Sequence, residues 1–174
     1  MDKRMKSFIP ILVVFVLFSC SDNPKELPPI DINKLKENLL ETNKLAIAKE
    51  AKQIEEYIAK KDLKVIKTET GLRYQVYNDV EGETIKKEQN AVIRYTVTLL
   101  DGSACYSTED EVEQFTVGKD YVESGLHEGI KFLSVGDKAI IIIPSHLAHG
   151  LAGDLKKIPF RSTIVYDIEL VAIK

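Results

Sequence analysis

The chain has 174 residues, 44 % of them hydrophobic and 29 % charged, with 24 Lys and Arg against 27 Asp and Glu. That length allows one sizeable domain with extensions, and a slight acidic excess with no Lys/Arg cluster argues against a nucleic-acid partner. The two cysteines, Cys20 and Cys105, give no disulfide framework, so the fold must rest on an apolar core.

At the N-terminus, Lys3, Arg4 and Lys6 precede an apolar run from Phe8 to Phe18. Eleven residues are too few to cross a hydrocarbon layer of about 30 Å as a helix, but they suit the central part of a secretory signal at residues 1–19. The run closes on Leu17-Phe18-Ser19-Cys20, which resembles a bacterial lipobox, with Phe18 bulkier than the residue usual there. The resemblance implies lipidation of Cys20, which would hold the protein in a bacterial cell envelope, periplasmic or associated with the outer membrane. Removal of residues 1–19 leaves 21 basic and 26 acidic residues. Cys105 is then a lone thiol, expected to be a small buried apolar residue. Residues 20–30 hold Pro24, Pro28 and Pro29 and read as a semi-extended spacer.

Residues 31–62 contain no Gly or Pro and carry seven acidic and seven basic side chains. Ile32, Leu35, Leu39, Ile47, Ala51, Ile54 and Ile58 recur at helical spacing, so the segment is expected to form a long charged amphipathic helix, with pairs such as Glu56 and Lys60 on its exposed side. An isolated stripe of this length needs cover. Either the rest of the chain covers it, or residues 31–62 pair with a second copy in a homodimer; the sequence allows both.

Residues 63–174 read as a second unit. Leu72–Tyr77 alternates as a strand after the turn Thr70-Gly71. Val92–Leu100 is a β-branched strand followed by the tight-turn pair Asp101-Gly102, and Gln114–Val117 is another short strand. The acidic run Glu109-Asp110-Glu111-Val112-Glu113 reads as a solvated loop. Ser124–Val135 is expected to be a helix capped by Ser124 and ended by Gly136, burying Leu126, Ile130 and Leu133. Ala139–Ile143 is apolar on both faces and should lie centrally in the sheet until Pro144 stops its pairing. A long connection over 145–162 leads to a last strand at Thr163–Ile173. The fold class is α+β: an antiparallel β-sheet wrapped over a short helix, preceded by the charged helix.

Motifs over 89–174 occur in one order: Val92 to Leu99, Asp101-Gly102, Phe115-Thr116-Val117-Gly118, Gly125-Leu126-His127-Glu128-Gly129, Val135-Gly136-Asp137-Lys138-Ala139, Pro144 to Gly150, Ile158-Pro159 and Thr163 to Leu170. Together they resemble an FKBP-type peptidyl-prolyl cis/trans isomerase domain. The resemblance implies an FKBP-like fold and rotation about Xaa-Pro bonds in unfolded or partly folded polypeptides. No cofactor or metal is required. It also implies a pocket with Tyr95, Phe115, Val122, Ile158 and Tyr166 as walls and Leu126 as floor, where many members have tryptophan. His149 stands where a tyrosine usually donates to the substrate carbonyl, and Tyr106 where an aspartate is usual. Glu123 brings charge to an apolar wall, and its backbone N–H corresponds to a donor that holds the peptide. These departures leave room for a second function, a non-catalytic chaperone or assembly module gripping partner loops in the same pocket. His146 and His149 are three apart, but no further ligands are arranged around them, so a metal site is not expected.

Overall fold

The structure is a computed structural model that describes residues 31–174; the signal, Cys20 and spacer assignments fall outside the described residues. Helix α1 runs over Ile32–Lys60, and its N-terminus is closed by the Asp31 carboxylate, which accepts the N–H groups of Asn33 and Lys34 at 3.0 and 3.1 Å. Seven strands follow: β1 (Ile66–Lys67), β2 (Arg73–Asn78), β3 (Asn90–Leu99), β4 (Ala104–Ser107), β5 (Glu113–Thr116), β6 (Lys138–Ile143) and β7 (Ile164–Ile173). They form one antiparallel sheet in the order β1-β2-β6-β7-β3-β4, with β5 also paired to β3. The longest ladder joins β3 to β7, from Ala91 opposite Ile173 to Leu99 opposite Ile164. The other edge of β3 is shared: β5 pairs with residues 90–93 and β4 with residues 96–98.

The four isoleucines of β6 are explained by cover on both faces of the sheet. Ala139, Ile141 and Ile143 join the main core with Leu126, Ile130, Leu133, Ile168 and Leu170. On the opposite face Ile142 and Val165 pack with Ile54 of α1, flanked by Tyr57, Ile58, Leu63 and Val65. Fully burying such a side chain contributes about 1.5–3 kcal/mol, so Ile54 is a substantial anchor for α1. The stripe read from the sequence is therefore divided. Its second half docks on the sheet, whereas Ile32, Leu35, Leu39 and Ile47 are exposed.

Polar contacts fix the same docking. The Glu50 carboxylate accepts from the Ser145 N–H (2.7 Å), the Ser145 hydroxyl (2.9 Å) and the Thr163 hydroxyl (2.6 Å). Glu55 pairs at 2.8 Å with the buried Arg73, which also donates to the Gly71 carbonyl. Glu56 pairs with Lys52 at 3.6 Å rather than with Lys60.

The helix expected over 124–135 is shorter. Helix α2 covers Ser124–Gly129, a 3-10 turn covers Ile130–Phe132, and the backbone is extended at Leu133. Ser124 is not the cap; Glu123 holds that position without a side-chain bond, and the Ser124 hydroxyl donates to the Leu147 carbonyl. Residues 133–135 pair instead with 83–85, the Leu133 carbonyl accepting from Ile85 and the Val135 N–H donating to Glu83. That pairing draws the backbone out of the helix. Gly136, at φ +96°, serves the turn into β6 rather than the helix end. Strands β1 and β4 were not anticipated: β1 has two residues, and Ala104-Cys105-Tyr106-Ser107 has no β-branched residue to signal a strand.

Candidate functional site

The spacing between α2 and the sheet determines the shape of the site. A Cβ on Gly125 would collide with Ile143 Cγ2, and one on Gly129 would lie 2.9 Å from Ile141 Cδ1. These two glycines let α2 lie directly on β6, which brings Leu126 up as a buried floor. A cleft of about 990 Å³ opens beside it, between α2, strands β3, β5 and β7, and the 148–156 loop.

Eight of the nine pocket residues named from the sequence line this one cleft: Tyr95, Tyr106, Phe115, Val122, Glu123, Leu126, His149 and Tyr166. Ile158 does not. It is buried in the core, and its N–H donates to Asp154 Oδ1 at 2.7 Å, so it supports the loop from behind. Tyr95 and Tyr166 are diagonal neighbours across the β3–β7 ladder, and their ring centroids are 5.3 Å apart, tilted by 53°. Phe115 is buried with its ring against the edge of His127. His127 holds the β5–α2 loop: Nδ1 accepts the Gly118 N–H at 2.9 Å and Nε2 donates to the Asp120 carbonyl at 3.0 Å. Neither Tyr106 nor Glu123 closes the cleft; both lie in its wall.

Sequence reasoning missed the acidic partners. Three of the four tyrosines lining the cleft donate their hydroxyls to carboxylates: Tyr95 to Glu113 at 2.6 Å, Tyr166 to Glu123 at 3.2 Å, and Tyr106 to Asp154, whereas Tyr121 is fully exposed. Glu113, read as part of a solvated loop, belongs to β5, and the pairing of Ile93 with Glu113 sets its carboxylate within reach of Tyr95. Burial pushes the Tyr95 and Tyr166 hydroxyls well above the ordinary phenol range, and the adjacent Glu113 and Glu123 add to the effect. Burial alone would raise the Asp154 carboxyl. The bonds it accepts from Tyr106 and from the N–H groups of Lys156 and Ile158 outweigh this and hold it at about 2.

His149 Nε2 lies 3.0 Å from Glu123 Oε1, yet the approach is too bent for a hydrogen bond and the nitrogen is buried without a hydrogen-bond partner among the described residues. The Glu123 N–H also has no acceptor among the described residues. The Glu123 N–H is thus an uncommitted donor at the cleft, whereas His149 Nε2 is held against the Glu123 carboxylate. Cys105 is a free thiol, buried in the core, and burial raises its pKa. His146 contacts the Thr70 carbonyl at 3.0 Å.

The model of the family described as FKBP-type peptidyl-prolyl cis-trans isomerase matches residues 81–171. The chain belongs to that family. It is 38 % identical over 124 residues to the FKBP-type peptidyl-prolyl cis-trans isomerase FkpA of Escherichia coli K12, an alignment spanning 71 % of this chain and 45 % of that protein. Against the peptidyl-prolyl cis-trans isomerase Fkbp12 of Drosophila melanogaster it is 37 % identical over 97 residues, 54 % of this chain and 90 % of that protein. The crystal structure of FkpA from Escherichia coli superposes with a TM-score of 0.65 at 32 % identity, covering 86 % of this chain and 74 % of that one. The chain thus spans about half the length of the FkpA sequence it matches.

Proposed function

We propose that this protein is a peptidyl-prolyl cis/trans isomerase that assists the folding of exported polypeptides at a bacterial envelope. The observation that carries the reading is the conjunction of a tyrosine- and phenylalanine-lined cleft with an uncommitted backbone N–H donor at Glu123. Rotation about an Xaa-Pro bond meets a barrier of about 18–20 kcal/mol because twisting breaks amide resonance. No bond to the substrate is needed. Tyr95, Phe115, Val122, Leu126 and Tyr166 would enclose the pyrrolidine ring away from water, and the planar, more charge-separated amide would lose more solvation there than the twisted one. The Glu123 N–H would hold a carbonyl of the peptide and the His149 ring would donate to another. Lowering the barrier by about 6 kcal/mol corresponds to roughly four orders of magnitude in rate.

The N-terminal charge, apolar run and Ser19-Cys20 support export and a lipid anchor. The exposed Ile32, Leu35, Leu39 and Ile47 of α1 support pairing with a second copy. A second reading, a chaperone that grips partner loops without catalysis, is favoured by Tyr106, Glu123 and His149 in the wall.

A protease-coupled assay of the purified full-length protein on short Xaa-Pro peptides separates the two. Acceleration above the spontaneous rate is expected. No acceleration together with suppression of client aggregation would reject the isomerase and select the chaperone. Tyr166→Phe is the better pocket variant, since Tyr166 is buried in β7 and truncation to alanine would cost about 3–5 kcal/mol.

A further inference from the structure

We propose that the cleft selects prolines flanked by a lysine or arginine, through the carboxylates of Glu113 and Glu123. The inference deepens the prolyl-binding reading above and rests on it. Three carboxylates line the cleft, those of Glu113, Glu123 and Asp154, and each is anchored by a tyrosine hydroxyl rather than by a lysine or arginine. Asp154 is further occupied by two backbone N–H groups. Glu113, which is exposed, and the second oxygen of Glu123, whose Oε1 faces His149, therefore hold the charge left for a ligand.

Basic side chains also face the same space. His149 stands against Glu123, Lys156 is an exposed residue of the lining, and Lys157 lies 5.1 Å from the centroid of the Tyr106 ring. No lysine or arginine occurs between residues 101 and 118, so the β4–β5 connection with Glu109, Asp110 and Glu111 adds only negative charge beside Glu113. A peptide whose proline settles over Leu126, against Tyr95 and Tyr166, would bring its neighbouring side chains past Glu113 on β5 and Glu123 at the start of α2. A cationic neighbour gains there. An acidic one is repelled, because the walls are apolar and water is partly displaced.

The test uses the full-length protein and a set of tetrapeptides with lysine, its uncharged analogue norleucine, or glutamate before or after the proline. Isomerisation is read by exchange NMR, without a coupling protease whose own preferences would intrude. The expected result is a kcat/KM about fivefold higher for lysine than for norleucine in at least one position, and lower for glutamate, the scale of one exposed and one largely buried carboxylate. That ratio should shrink towards one in 1 M salt, where the screening length falls from about 10 Å at 0.1 M to about 3 Å. It should also approach one in a Glu113→Gln, Glu123→Gln double variant, each ratio being taken within one protein so that a change in absolute rate does not enter. Equal rates for lysine and norleucine at both positions overturn the charge selection and leave the isomerase assignment standing. A lysine preference that persists unchanged in high salt and in the double variant overturns the role of the two carboxylates. No acceleration of any peptide overturns both readings.

Discussion

Replacing Glu50 by alanine should loosen the first helix and the loop that carries His149 together. The Glu50 carboxylate accepts three hydrogen bonds, two from Ser145 and one from Thr163, all between 2.6 and 2.9 Å. Ser145 and Thr163 are themselves buried, at 7 % and 4 % exposure, so water cannot readily replace the lost acceptor. Three bonds at a net value of about 1 kcal/mol each give a loss of about 3 kcal/mol, equivalent to a fall of about 10 °C in Tm for a protein of this size. Glu50→Gln keeps one acceptor oxygen and should lose about half as much. Urea unfolding followed by circular dichroism measures the loss, and amide hydrogen exchange locates it. Residues 145–150 should exchange faster by a larger factor than residues of the β3–β7 ladder. A loss below about 0.5 kcal/mol for Glu50→Ala, or exchange that quickens uniformly, would refute the idea that this carboxylate clamps α1 to the site.

Two further outcomes follow from the same geometry. Gly125→Ala should destabilise the protein by about 1–3 kcal/mol despite alanine's better helix propensity, because the new methyl meets Ile143 and the Leu147 backbone carbonyl, which cannot swing away. Gly129→Ala should cost less, since its nearest atoms, Ile141 Cδ1 and Cγ2, stand farther off at 2.9 Å; equal or reversed losses in urea unfolding would contradict the close packing of α2 on β6. For Asp154, a folded-state value held down to about 2 means that its contribution to stability is complete above the ordinary carboxyl value of 3.8 and disappears as pH falls through about 2. Stability of the wild type should therefore drop across that window by more than that of Asp154→Asn, and parallel profiles would show that the Tyr106 and backbone bonds do not favour the ionised form.

Periodicity and pattern read well wherever a local signal coincided with burial. The alternation at residues 72–77, the β-branched run from Val92 and the isoleucines of β6 all became strands within one or two residues of their expected ends. Asp31 sits at the N-cap of a helix whose lack of Gly and Pro had marked it out. Misreadings occurred where distant segments compete for the backbone. Leu133 to Val135 carries helical spacing, yet pairing with residues 83–85 is available only after folding. Glu113 looked like one more charge in a solvated run, since nothing local shows that β5 will align it with Tyr95. Ile158 shared the order of the pocket residues but is buried behind the cleft rather than in its lining.

The linear order of apolar runs, glycines and turn pairs was sufficient for the α+β class and for the family, because those features act through local backbone preference and strand or helix period. Which carboxylate meets which tyrosine, and which half of α1 finds cover, depended on the register of β3 against β5 and β7 and on the fit of Ile54 over Ile142 and Val165. Such contacts join residues tens of positions apart, and their energies exist only once the sheet has closed.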